Sequence, residues 1–211
     1  MAQKEPHSDG KVYYSYADIH SMLSQLAPKI QQFCPDVMVA IGGGGFLPAR
    51  ILRTTLQIPI YTVSLELYNE SLNVPQEEVM CRQWVDSDVV TGKKVLVVDE
   101  VDDTRRTLAF CLQELTTQGC PKAVAVAVVH NKLKHKRASL PEDVLYFAAA
   151  EVPDQWNCYP WDAEKYGHSI AQHEAIALQC SGQRSKLWPP WDWVLLGFLA
   201  GALSCGVLVR R

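Results

Sequence analysis

An α/β fold, a parallel sheet flanked by helices, is what this sequence predicts, and three observations carry the prediction. The segments "DVMVAI" (36–41), "KKVLVVDE" (93–100) and "KAVAVAVVH" (122–130) hold apolar runs without polar alternation, the pattern of strands covered on both faces, as in parallel sheets. Stretches with helical spacing separate them, and repeated strand-helix alternation implies crossover connections. At 211 residues and 48% hydrophobic content, the chain can bury a real core in one domain plus an appendage.

In chain order, "SYADIHSMLSQLAPKIQQF" (15–33) sets Ile19, Met22, Leu23, Leu26 and Ile30 at helical spacing behind Ser15, a capping residue type. "DVMVAI" is then a buried strand that runs into Gly42, Gly43, Gly44 and Gly45. "FLPARILRTTL" (46–56) reads as a helix, with Pro48 tolerated in its first turn. "IPIYTVSLEL" (58–67) is a second strand, and residues 68–84 are polar and weakly periodic, long enough for a functional loop or lid. "KKVLVVDE" is the third strand, "TRRTLAFCLQELTTQG" (104–119) a helix closing on Gly119, and "KAVAVAVVH" the fourth strand. Neither an internal repeat nor a low-complexity tract interrupts this order.

The net charge of -3 with interspersed signs argues against a general nucleic-acid binder, which shows a basic stripe. The densest basic run is "NKLKHKR" (131–137). The 7 cysteines form no C-x-x-C pair, so neither a zinc site nor a disulfide framework is signalled, and reduced thiols in the cytoplasm are the plain expectation. "MAQKEPHSDGK" at the start lacks the apolar stretch of a secretory signal.

Two motifs point to chemistry. In "IGGGGF", four glycines after a strand let the backbone turn and bring N–H groups close to an anion. A dinucleotide fingerprint fails because Leu47 stands at the third glycine position, and a P-loop fails for want of G-K-[ST]. A phosphate loop and a plain tight turn both remain open on this motif alone. In "VLVVDEVDDTRRTL" (95–108), Asp99 and Glu100 end a strand where two adjacent carboxylates can accept from the neighbouring hydroxyls of a ribose. Thr104, Arg105, Arg106 and Thr107 then open a helix, where free N–H groups and hydroxyls can hold a phosphate. Together these describe a site for ribose 5-phosphate; the plainer reading is a solvated strand end with a capping cluster.

With these residues the chain resembles the purine phosphoribosyltransferases, most closely the fungal-type hypoxanthine-guanine and xanthine enzymes. "PDVMVAIGGGGFLPARILRTTL", "SLELY", "RQWVD", "VVHNKLKHKRASLP" and "VPDQWNCYPWDAE" are similar to that group in the same order, roughly over residues 13–164. The resemblance implies a Rossmann-like phosphoribosyltransferase fold with a small hood and a domain over residues 11–167. It further implies transfer of ribose 5-phosphate from phosphoribosyl pyrophosphate to a purine base with release of pyrophosphate, and a homodimer. Asp99 and Glu100 would bind the ribose hydroxyls directly or through Mg2+. Asp103 falls where an aspartate lies near the purine N7 as a general base or proton acceptor. Residues 104–107 would cradle the 5'-phosphate, and Gly42, Gly43, Gly44 and Gly45 the pyrophosphate. Lys132 would contact a purine 6-oxo group, favouring hypoxanthine, guanine or xanthine over adenine. Trp156 would stack on the base unless it is a core aromatic, and Asp162 would sit near the base's 2-position edge.

The chain departs from the wider family in two places. Arg105 and Arg106 stand where most members have glycines, and Gly43 lies where some bacterial relatives carry an arginine; Arg50 and Arg82 are the alternatives for the missing cation. Two other function classes stay open: a related nucleotide-binding or regulatory protein without turnover, and a dinucleotide-dependent oxidoreductase with Glu66 as its ribose acid.

Beyond the resemblance, "WVLLGFLAGALSCGVLV" (193–209) carries no charge and ends in Arg210 and Arg211. As a helix it would rise about 26 Å at about 1.5 Å per residue, near the roughly 30 Å of a hydrocarbon core. Trp188, Trp191 and Trp193 cluster at one end, and Gly197 and Gly201 form a G-x-x-x-G. The expectation is a C-terminal hydrophobic helix acting as a transmembrane tail anchor for a cytoplasmic enzyme, joined by a linker over 168–192; the alternative is a buried core helix.

Overall fold

A computed structural model describes residues 4–69 and 74–181. Its main sheet has six strands: β2 (Val37–Gly42), β3 (Ile60–Asn69), β4 (Val74–Gln83), β5 (Lys94–Asp102), β6 (Ala123–Lys132) and β7 (Leu145–Val152). They lie in the order β4-β3-β2-β5-β6-β7, parallel throughout except for β4, which runs antiparallel to β3.

The apolar runs are buried on both faces. Met38, Ala40, Leu96, Val98, Ala125 and Ala127 face a core closed by α1 (Tyr16–Phe33) and α2 (Phe46–Leu56). Val37, Val39, Ile41, Val95, Val97, Val126 and Val128 face α3 (Ser87–Val90) and α4 (Arg106–Gly119). Alternate residues of one strand thus go to opposite cores, which is why no polar position interrupts them. Helix α1 starts in a capping box in which Ser15 and Asp18 satisfy each other's backbone amides.

Residues 68–84, expected as a loop or lid, belong largely to the end of β3 and to β4, a polar edge strand whose composition hid its period. A second sheet has two strands, β1 (Lys11–Tyr13) paired in parallel with β8 (Trp156–Cys158). A 3-10 helix (Pro160–Tyr166) and α5 (Ile170–Cys180) pack beside it. Residues 168–181, expected to begin a linker, therefore extend the domain: His173, Ala177 and Cys180 are buried, and the Glu5 amide donates to the Cys180 carbonyl. The segment over 193–209 lies outside the described residues, among which no helix is long and apolar enough to cross a membrane.

Candidate active site

In a parallel sheet with helices on both faces, ligands bind beyond the carboxyl ends of the strands, where the direction of crossover reverses. Here the reversal falls between β2 and β5. Helix α2 leads from β2 outward to β3 on one face, and α4 leads from β5 outward to β6 on the other. The register of Val37 with Val95 through Ala40 with Val98 brings both strand ends level. A cleft of about 250 Å³ opens there.

Gly42, Gly43, Gly44, Asp99, Glu100, Asp103, Thr104, Arg105 and Thr107 line it, joined by Leu65, Leu67, Val101 and Asp102. The two motifs thus meet in one place. A Cβ on Gly44 would fall on the carboxylate of Glu100, so glycine is needed for the close approach of loop and acid. Gly45 serves the fold instead: it starts α2, and its missing Cβ leaves room for the carbonyls of Val98 and Ile41.

Asp99 is nearly buried, and its pKa is raised well above the ordinary carboxylate range by that burial and then by the adjacent charge of Glu100. Among the described residues neither acid makes an ion pair with a lysine or arginine. No group of three or more metal-ligating side chains gathers among the described residues either. An uncompensated carboxylate pair of this kind fits a hard divalent cation that completes its shell with other oxygens.

Helix α4 begins without a side-chain cap, leaving its first amides to the cleft. Its N-cap is Arg105 in a left-handed conformation, φ 69°. For a non-glycine residue that conformation costs about 1–2 kcal/mol. Arg105 turns inward onto Asp102, whose side chain is 0% exposed, at 2.9 Å from Nε and 2.7 Å from Nη2. Its guanidinium also lies over the Tyr146 ring, 5.2 Å from the centroid.

Beside the cleft, Lys132 ends β6 and reaches Asp103 at 3.4 Å, while Lys134 reaches Asp103 at 3.0 Å and Asp154 at 2.9 Å. Burial works to raise the Asp103 pKa, but the two lysines outweigh it and hold the carboxyl below its usual range. Trp156 is 58% exposed on β8, which removes the core-aromatic alternative and leaves a ring face for solvent or ligand. Asp162 stands apart in the 3-10 helix, half-buried with its pKa raised by burial, and the charges acting on it are Lys165 and His173. Lys132, Trp156, Asp162, Gly45 and Arg106 are not part of the cleft lining.

The two candidates for a missing cation point elsewhere. Arg82 binds Glu66 at 3.0 Å, and Arg50 donates to Thr54 at 3.4 Å on the outside of α2. That ion pair also occupies Glu66, the acid that a dinucleotide reading would need. Sequence reading passed over Asp102, Lys134 and Lys136. A signal was present for the lysines: Lys132, Lys134 and Lys136 alternate through "NKLKHK" and all three ammonium groups converge on Asp102 or Asp103.

A domain model described as phosphoribosyl transferase matches residues 13–163. The hypoxanthine-guanine phosphoribosyltransferase of Schizosaccharomyces pombe is 42% identical over 196 residues, covering 78% of this chain and 93% of its own. Xanthine phosphoribosyltransferase 1 of Saccharomyces cerevisiae is 38% identical over 212 residues, covering 84% of this chain and 97% of its own. Among solved structures, a hypothetical protein from Neisseria gonorrhoeae with bound ppGpp has a TM-score of 0.71 at 44% identity, covering 85% of this chain and 99% of that one.

Proposed function

This chain belongs to the phosphoribosyltransferase family, and we propose that it is a purine salvage enzyme that moves 5-phosphoribosyl from phosphoribosyl pyrophosphate to a 6-oxopurine, giving the nucleoside monophosphate and pyrophosphate. One observation carries the reading: the acid pair, the glycine loop and the uncapped start of α4 line a single cleft at the sheet's switch point, with the Asp103 and Lys132 pair beside it. The names of the fungal relatives support the same activity.

Departure of pyrophosphate develops positive charge at the ribose carbon, so the protein's task is to hold anions and a nucleophilic ring nitrogen in line. Asp99 and Glu100 accept from the ribose hydroxyls, and the amides and hydroxyls of residues 104–107 bind the 5'-phosphate. The glycine loop presents its N–H groups to the pyrophosphate. Asp99 and Glu100 would hold Mg2+, which would supply positive charge to offset that of the leaving group. Asp103 accepts the proton at purine N7. A 6-oxo group that draws the Lys132 ammonium toward itself loosens the ion pair on Asp103 and makes that carboxylate a better acceptor. Trp156 offers a stacking face, and Asp162 the edge near the 2-position. The deciding assay is pyrophosphate release with magnesium and hypoxanthine, guanine, xanthine or adenine. Consumption of at least one 6-oxopurine is expected; no turnover with any of them refutes the proposal.

A second reading, nucleotide binding without turnover, has behind it the Neisseria relative with bound ppGpp. Saturable binding of phosphoribosyl pyrophosphate with every base left intact would select it. The proposal includes a homodimer, read by sedimentation. It also includes a tail anchor over 193–209, supported by its uncharged length, clustered tryptophans and terminal arginines. Fractionation of cells expressing the full chain, beside a chain ending at Lys186, tests the anchor. Full-length protein that stays soluble after a carbonate wash would refute it.

A further inference from the structure

We propose that Asp102 is a positioning residue for the phosphate-binding turn: with Tyr146 it clamps Arg105 in its left-handed conformation and thereby sets the amides of residues 104–107. The inference rests on the reading of the cleft as a phosphoribosyl pyrophosphate site, and it adds a role for residues that do not touch substrate through their side chains.

Asp102 and Arg105 are three positions apart, and the arginine, itself at φ 69°, returns to the aspartate. Both Nε and Nη2 meet the same oxygen, Oδ2, which also accepts from the Tyr146 hydroxyl at 2.8 Å. Tyr146 is on β7, two strands away from β5, so the turn is tied across β6 to the edge strand of the sheet. Lys136 completes the arrangement: its ammonium lies 3.4 Å from Asp102 Oδ1 and donates to the carbonyls of Asp102 at 2.6 Å and Asp103 at 3.1 Å. The backbone of Arg137 in turn donates to the Thr104 carbonyl at 3.0 Å. A fully buried carboxylate is unfavourable without partners, and a left-handed arginine is unfavourable without a tether. Here each supplies what the other lacks. A glycine would adopt the turn freely; this chain reaches the same conformation through side-chain contacts and gains a turn that is held rather than merely permitted.

A double-mutant cycle tests the clamp. Asp102→Asn, Arg105→Gly and the double variant are compared with wild type for KM toward phosphoribosyl pyrophosphate and for kcat, with hydrogen exchange read on a peptide covering residues 103–108. A turn that binds phosphate equally in ground and transition states predicts that Asp102→Asn raises KM about tenfold with kcat within about twofold. Arg105→Gly alone raises KM about threefold, because glycine takes the conformation but is not held in it. In the Arg105→Gly background, Asp102→Asn changes KM by less than about twofold, the non-additivity of residues that act as a unit. Equal effects of Asp102→Asn in both backgrounds overturn the clamp. So does a rise of about a hundredfold or more from Arg105→Gly, which would make the guanidinium a direct phosphate ligand. Should Asp102→Asn fail to fold, Tyr146→Phe takes its place, with a rise of about threefold expected only where Arg105 is retained. If wild type binds no phosphoribosyl pyrophosphate, the functional reading falls, and amide exchange decides the clamp: faster exchange at 103–108 in Asp102→Asn that is no faster than in Arg105→Gly when both changes are made upholds it, and unchanged exchange refutes it.

Discussion

Alanine at Gly44 and at Gly45, tried separately, divides space that belongs to the site from space that belongs to the fold. At Gly45 the added methyl would stand 2.7 Å from the Ile41 carbonyl oxygen and 2.9 Å from the Ile41 nitrogen, and closer still to the carbonyl of Val98. Those atoms belong to the paired backbones of β2 and β5 and cannot withdraw without opening the ladder. The cost falls at the upper end for overpacking, about 3 kcal/mol, which for a domain of this size lowers Tm by roughly 6–12 °C. At Gly44 the methyl meets only the carboxylate end of Glu100, a flexible side chain, and no left-handed φ forbids the substitution. Glu100 rotates away and stability changes by less than about 0.5 kcal/mol. Activity does not escape. Loss of one charge-assisted hydrogen bond to the ribose costs about 1.5–3 kcal/mol, roughly a 10- to 100-fold fall in kcat/KM. Calorimetry and steady-state pyrophosphate release on both variants give the result. A Gly45→Ala protein as stable as the parent would refute the packing argument, and a Gly44→Ala protein with full kcat/KM would remove Glu100 from the substrate contacts.

Three further outcomes follow from the same geometry. Asp103→Asn should lower kcat about 100-fold while raising KM for the sugar substrate far less, the mark of a lost proton acceptor; an unchanged kcat assigns Asp103 to its lysine pairs alone. Trp156→Ala should leave Tm within about 2 °C, since the ring is largely exposed, and raise the purine KM about 10-fold through lost stacking; a purine KM equal to wild type would free the ring of that role. His130 is buried and its pKa is pushed down to about 3 by that burial, so the unfolded chain, near 6.5, takes up a proton that the folded chain refuses. Stability is therefore lost as pH falls below about 6.5, by about 1.4 kcal/mol at pH 5.5 from this group. The raised pKa of Asp99 acts in the opposite direction but is common to both proteins, so urea midpoints of His130→Asn between pH 5.5 and 7.5 should show a flatter slope than the parent's, and an equal slope would exclude His130.

The strands that the sequence announces are those whose neighbours lie on both sides and both faces: β2, β5 and β6 hold unbroken apolar runs through their buried stretches, and composition alone marks them. The edges escape that rule. β4 carries "VPQEEVMCRQ", polar because one side of it has no strand to pair with, and β7 carries "LYFAAAEV", whose alanines have little strand preference. β1 and β8 are three residues each and pair across more than a hundred positions of chain, so no local period can reveal them. The site divides in the same way. The acid pair and the turn after it are written contiguously at the end of β5, where acids follow an apolar run and the chemistry of a strand end can be read directly. The residues proposed for the purine come from β6, β8 and the 3-10 helix, and no spacing in the sequence joins Lys132 to Trp156. Asp102 and Arg105 show why this matters for more than location. By local preference alone an arginine is a poor occupant of a left-handed turn, and a second aspartate beside Asp103 adds only repulsion. Tyr146 reaches Asp102 only once β7 lies beside β6, and Lys136 only once the chain has turned back from β6. With those two in place the buried carboxylate has its partners, the arginine has its tether, and a residue pair unfavourable in isolation becomes the stable way to shape the turn.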